Sequence, residues 1–177
     1  GFGCKAFTMS LIENAIKITK GGIDNKSIAD ILNFGKWLLS TPGTPLPRVA
    51  ETLSELRRCT NLKMIVFTKG EAIDQKNKMR RSGLSGYFDD MVITDEKTSD
   101  EYHRLCEQHK CPAEKMVMIG NSFKSDIAPA LKVGMKAIHI PFHTTWELEQ
   151  MEEFEHPNLI KIEHFHQLIN ILQEKKA

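Results

Sequence analysis

The 177-residue chain, 41% hydrophobic, 27% charged and 7% aromatic, has the composition of an ordinary soluble globular protein. It is long enough to hide roughly 70% of its unfolded surface without disulfides or a structural metal. Its 24 Lys and Arg balance 23 Asp and Glu, with the signs interspersed, so no nucleic-acid footprint is expected. No apolar run approaches the roughly 18 residues that span a bilayer, and no secretory h-region stands near the start. Cys4, Cys59, Cys106 and Cys111 form no Cys-x-x-Cys pair, which suits reduced thiols in a cytoplasmic protein.

Phe7, Leu11, Ile12, Ala15 and Ile16 recur at helical spacing, as do Ile28, Ile31, Leu32, Leu38 and Leu39 after the break at Gly21-Gly22. The pattern predicts an antiparallel helical hairpin whose second helix is capped by Asp24 or Asn25. The proline-rich stretch Thr41–Pro47 cannot continue a helix and reads as a linker, dividing a helical portion, 1–41, from residues 42–177. A helix through Val49, Leu53 and Leu56 follows. Strands are then expected at Lys63–Phe67, Met91–Thr94, Met116–Ile119 and Lys136–Ile140, alternating with helices at Glu71–Ser82, Ser99–His109 and Ser125–Val133. Short apolar strands without polar alternation are buried on both faces, so the fold class is α/β, a Rossmann-like parallel sheet with helices on both faces. A helix near Trp146–Phe154, a short strand at Leu159–Ile162 and a closing helix at Phe165–Leu172 complete the plan.

In open α/β sheets ligands bind beyond the carboxyl ends of the strands. Here those ends read Phe67-Thr68-Lys69-Gly70, then Thr94-Asp95-Glu96-Lys97-Thr98, then Gly120-Asn121-Ser122-Phe123-Lys124-Ser125-Asp126. A hydroxyl, an ammonium and a carboxylate on successive strand ends suit a phosphoryl group and a divalent cation. Thr68 can donate to a phosphate oxygen, Lys97 can neutralise charge, and Asp126 can offer oxygen to Mg²⁺.

These segments resemble three of the four motifs of the haloacid dehalogenase-like (HAD) hydrolase superfamily, over roughly Pro42 to Pro141. The resemblance implies a HAD-like core with part of a helical cap in residues 1–41. Thr68, with Lys69 and Gly70, would bind the transferring phosphoryl group, and Lys97 would orient and neutralise the attacking carboxylate. Asp126 would ligate Mg²⁺ with Asn121 beside it, supported by Ser122 and Ser125. The implied activity is a Mg²⁺-dependent phosphatase of a small phosphorylated metabolite, working through an aspartyl-phosphate. Dehalogenation and phosphonate cleavage are other chemistries of the superfamily.

The departure is the first motif. No Asp-x-Asp occurs in the chain, and the adjacent Asp89-Asp90 has the wrong spacing. The segment bearing nucleophile and general acid is therefore expected to be absent from this chain. Its strand is the family's central one, so a gap is expected between the Thr68 strand and the Asn121 strand, and the chain alone is expected to be inactive. The alternative is a non-catalytic module that binds phosphate or a partner; a receiver-type signalling domain is disfavoured, because no acceptor aspartate ends a strand. His139, His143, His156, His164 and His166 lack the spacing of a zinc site. Phe142, Trp146, Phe2 and Phe7 read as packing residues, and Glu147, Glu149, Glu152, Glu153 and Glu155 as a solvated helix face. Asn25-Lys-Ser27 matches a glycosylation acceptor that nothing else supports. Oligomeric state and substrate are not legible.

Overall fold

The computed structural model describes residues 3–41, 43–144 and 147–173, apart from the side chain of Leu148. Phe2, Pro42 and Trp146, named above, lie outside them.

The chain opens with the predicted hairpin, α1 (Cys4–Ile18) and α2 (Asn25–Ser40). Asp24 caps α2, its carboxylate accepting from the Ser27 amide at 2.8 Å, which satisfies a donor that helix geometry leaves unpaired. The helices meet where Gly35 faces Thr8; a Cβ at Gly35 would lie 2.3 Å from the Thr8 hydroxyl, so only glycine allows this approach. Lys5 of α1 forms an exposed ion pair with Glu71 of residues 42–177.

Helix α3 (Val49–Cys59) buries Thr52, Leu53 and Leu56, its apolar stripe at the 3.6-residue period. Two parallel strands follow, β1 (Ile65–Lys69) and β2 (Asp90–Thr94), paired in register from Ile65 opposite Asp90 to Lys69 opposite Thr94. The crossover between them carries α4 (Ala72–Ser82), which ends at Gly83 with φ 73°, the left-handed conformation glycine adopts without strain. Helix α5 (Ser99–His109) precedes β3 (Val117–Gly120). A π-helical turn at Phe123–Ile127 then runs into α6 (Ala128–Lys132), followed by β4 (Lys136–His139), β5 (Leu159–Lys161) and α7 (Leu168–Leu172).

The strands form two sheets, β1–β2 and β3–β4–β5, and every pairing is parallel. No ladder joins β1 to β3, the place where the sequence predicts a gap. Side chains nonetheless pack across the division. Phe67 of β1, Tyr102 and Leu105 of α5, Ala130 of α6 and Met135 just before β4 form one buried cluster. A second joins Leu56 of α3 to Ile138, Ile162 and Leu168.

Two expectations are corrected. The first strand begins and ends two residues later than predicted, at Ile65 and Lys69, so Thr68 and Lys69 belong to the strand. Residues 147–154 hold a single 3₁₀ turn, Glu147–Glu149, and no α-helix. The cause is Glu149, whose carboxylate is drawn inward to three donors where a solvated helix face would carry it outward.

Candidate active site

The carboxyl ends of β1, β2 and β3 share one edge and enclose a cavity of about 330 Å³ lined by Thr68, Lys69, Lys97, Asn121, Ser122, Ser125 and Asp126, among others. Seven of the eight residues singled out in the sequence thus meet in one place. The eighth, Gly70, is not in the lining. Its φ of +133° lets the chain leave β1, and its N–H donates to the Thr94 carbonyl at 3.0 Å, which ties the ends of β1 and β2 together.

Lys97 and Asp126 form the centre. The ammonium donates to Asp126 Oδ1 at 2.6 Å, and the two side chains are only 10% and 8% exposed. Asp126 Oδ2 accepts from the Ser122 amide at 3.1 Å. The π-turn brings the carboxylate there: the Ser122 carbonyl accepts from both Asp126 and Ile127, the widened turn characteristic of π-bulges at functional sites. Gly120 makes room, since a Cβ on it would sit 2.2 Å from Asp126 Oδ2. Lys97 also lies over the Phe67 ring, 5.3 Å from its centroid, a contact that favours its charge.

Behind the pair, the buried Tyr102 hydroxyl is shared between the carbonyls of Ser125 (3.1 Å) and Asp126 (3.0 Å). Burial, with the Asp126 charge second, pushes its phenol well above the ordinary range, so it remains a donor. The Thr68 hydroxyl donates weakly to Gln75 at 3.4 Å, leaving its oxygen at the cavity wall.

Glu149, expected on a solvated helix face, instead turns into the cavity. Its carboxylate accepts from Lys69 Nζ, Ser122 Oγ and Ser125 Oγ, the last at 2.6 Å. Burial opposes its charge, but the hydrogen bonds from Lys69, Ser122 and Ser125 outweigh it and hold its pKa down to about 2. A signal was available: Glu149 lies eight residues after Pro141, in the segment that leaves a strand end. Glu149 also walls off a neighbouring cavity of about 560 Å³ lined by Asn121, Phe123, His139 and Phe142. There the buried His139 donates from Nε2 to the Asn121 carbonyl at 3.1 Å; a carbonyl can only accept, so Nε2 carries a hydrogen.

Among the described residues no three His, Cys, Asp or Glu side chains cluster to hold a metal ion. Asp126 and Asn121 still offer one carboxylate and one amide oxygen at the cavity, and each Asp126 oxygen, with one hydrogen bond, keeps a second lone pair. That donor set fits Mg²⁺, which commonly takes one or two carboxylates and completes its shell with water and phosphate oxygens.

A Rossmann-like core with hydroxyl, lysine and carboxylate at successive strand ends defines a class of α/β hydrolases, and the sequence carries the specific mark of one. Residues 13–134 match the family model for haloacid dehalogenase-like hydrolases, and the chain belongs to that family. It is 28% identical over 131 residues to N-acylneuraminate-9-phosphatase of Rattus norvegicus, covering 71% of this chain and 52% of that protein. It is 31% identical over 99 residues to glyceraldehyde 3-phosphate phosphatase of Methanothermobacter thermautotrophicus, covering 53% of this chain and 43% of that one. The chain thus spans about half the length of these curated relatives. A haloacid dehalogenase-like family hydrolase from Xanthomonas campestris superposes with a TM-score of 0.85 at 29% identity, over 98% of this chain and 74% of that one. No helix among the described residues is long and apolar enough to cross a membrane.

Proposed function

We propose that these residues form the phosphoryl-binding part of a Mg²⁺-dependent phosphatase that acts on a small phosphorylated metabolite in the cytoplasm. The observation that carries this reading is the convergence of Thr68, Lys97, Asn121 and Asp126 on one cavity from strand ends of two separate sheets. Relatives named as phosphatases favour phosphate ester hydrolysis over other chemistry of the family.

In this reading the nucleophile is a carboxylate of an Asp-x-Asp strand seated between β1 and β3, and the 177 residues alone bind without turnover. The carboxylate attacks phosphorus, the bond to the leaving oxygen breaks, and the second carboxylate protonates that oxygen. Water activated by the same group then hydrolyses the aspartyl-phosphate. Thr68 Oγ1 donates to a non-bridging phosphoryl oxygen, with Lys69 and Gly70 shaping that seat. Lys97, already fixed by Asp126, neutralises the attacking carboxylate. Asp126 and Asn121 would hold the cation, braced by Ser122 and Ser125; bound there, Mg²⁺ would supply positive charge to the phosphoryl oxygens. Residues 1–41 form part of a cap over residues 42–177, and the Lys5–Glu71 pair supports its placement beside the site.

The test joins an Asp-x-Asp strand to this chain and measures phosphate release from p-nitrophenyl phosphate. Mg²⁺-dependent release, lost on changing the first Asp to Asn, is the expected result. A folded joined protein that binds phosphate and never releases it from the ester would contradict the reading and favour a phosphate-binding regulatory module.

A further inference from the structure

Glu149 is the one carboxylate of the acidic run that the fold turns inward, and its partners come from both halves of the divided sheet. Lys69 ends β1, in one sheet; Ser122 and Ser125 follow β3, in the other. The carboxylate accepts from all three, and Lys69 Nζ also reaches Ser125 Oγ at 3.2 Å. Glu149 itself lies on a third segment, the crossover from β4 to β5. A single side chain thus couples three chain segments that share no backbone ladder.

From this geometry we infer that Glu149 is a positioning residue: it sets the spacing of the phosphoryl seat by fastening the Lys69 end of β1 to the Ser122–Ser125 turn. The inference rests on the phosphoryl-binding reading above and adds a residue to it. An ammonium beside Thr68 with no carboxylate partner would sample many rotamers, at an entropy cost on each binding event. Held by Glu149, it keeps one position, and the turn that carries Asp126 is held with it. Ser122 completes the coupling, because its Oγ also accepts from the Ser125 amide at 3.0 Å while its own amide donates to Asp126.

Positioning and simple electrostatics predict opposite signs. Removing a negative charge next to an anion seat should tighten anion binding if charge alone matters; if Glu149 positions the donors, the same change should weaken it. The experiment titrates inorganic phosphate calorimetrically, with Mg²⁺ present, into the wild-type chain, Glu149→Ala and the isosteric Glu149→Gln. Amide hydrogen exchange is followed in parallel at residues 69–71 and 121–125.

The expected result is a phosphate affinity at least about fivefold weaker in Glu149→Ala, an effect on the scale of one lost hydrogen bond. Glu149→Gln, which keeps one acceptor oxygen, should lie between. Exchange should rise at both segments, although they belong to different sheets. Unchanged or tighter binding in a folded Glu149→Ala protein overturns the inference while leaving the phosphoryl-binding reading intact. Failure of the wild type to bind phosphate overturns that reading instead, and unchanged exchange at both segments then overturns the positioning role as well.

Discussion

The ammonium of Lys97 and the carboxylate of Asp126 lie 2.6 Å apart, and they reach one another from opposite sides of a divided sheet. Lys97 follows β2 and Asp126 lies in the π-turn after β3. The pair therefore joins the two sheets at the edge of the cavity that both residues line.

Breaking this pair should be costly, because a buried charge that loses its partner keeps its desolvation penalty. Lys97→Met leaves Asp126 with only the Ser122 amide as partner among these contacts. Urea unfolding should show a loss of roughly 3 kcal/mol, far above the cost of an exposed pair such as Lys26–Asp30.

Gly120→Ala tests the close approach that admits the carboxylate. Its Cβ would meet Asp126 Oδ2 at 2.2 Å, and the clash is with a side chain pinned by two hydrogen bonds. The variant should lose roughly 2 kcal/mol of stability in thermal unfolding, within the range of overpacked core substitutions, and should bind phosphate more weakly.

Tyr102→Phe removes one hydroxyl and leaves the part-buried Ser125 carbonyl and the buried Asp126 carbonyl without that donor. A loss of roughly 1–2 kcal/mol is expected. Because the ring itself packs edge-on against Phe67, with centroids 5.0 Å apart, the phenylalanine should retain the core, and denaturant midpoint should fall without a change in slope.

Glu149 gives a pH dependence of defined sign. Its folded pKa is about 2 against an ordinary 4.5, so the folded state binds the proton less readily than the unfolded chain. The stabilisation is complete above pH 4.5 and is lost as pH falls toward 2. Denaturant unfolding of wild type and Glu149→Gln at pH 7, 4.5 and 3 should show a difference that is largest at pH 7 and shrinks at each acid step.

The order of helices and strands was legible because burial on both strand faces and the helical period leave their mark in apolar spacing. Asp24 as a cap followed from its chemistry. Thr68, Lys97 and Asp126 could be picked out because parallel strands present their carboxyl ends to one edge, so residues far apart in sequence had to meet. Glu149 follows a strand end too, but eight residues beyond Pro141 and inside an acidic run, where a carboxylate reads as solvated; its partners, Lys69 and the two serines, are set by tertiary position. The same inward pull leaves only a 3₁₀ turn, Glu147–Glu149, within the helix expected near Trp146–Phe154. The bond from the Gly70 N–H to the Thr94 carbonyl depends on β2 lying beside β1 and leaves no mark in the local sequence.

Phosphate recognition at this cavity is tested by a calorimetric titration of inorganic phosphate, with Mg²⁺, into the wild-type chain and Thr68→Val. Thr68 is the one hydroxyl assigned to the phosphoryl oxygens, and valine keeps its shape. Saturable one-site binding with Kd of about 1 mM or tighter is expected, weakened about tenfold or more in the variant. A folded wild type with no saturable binding, or binding of equal strength in both proteins, would contradict it.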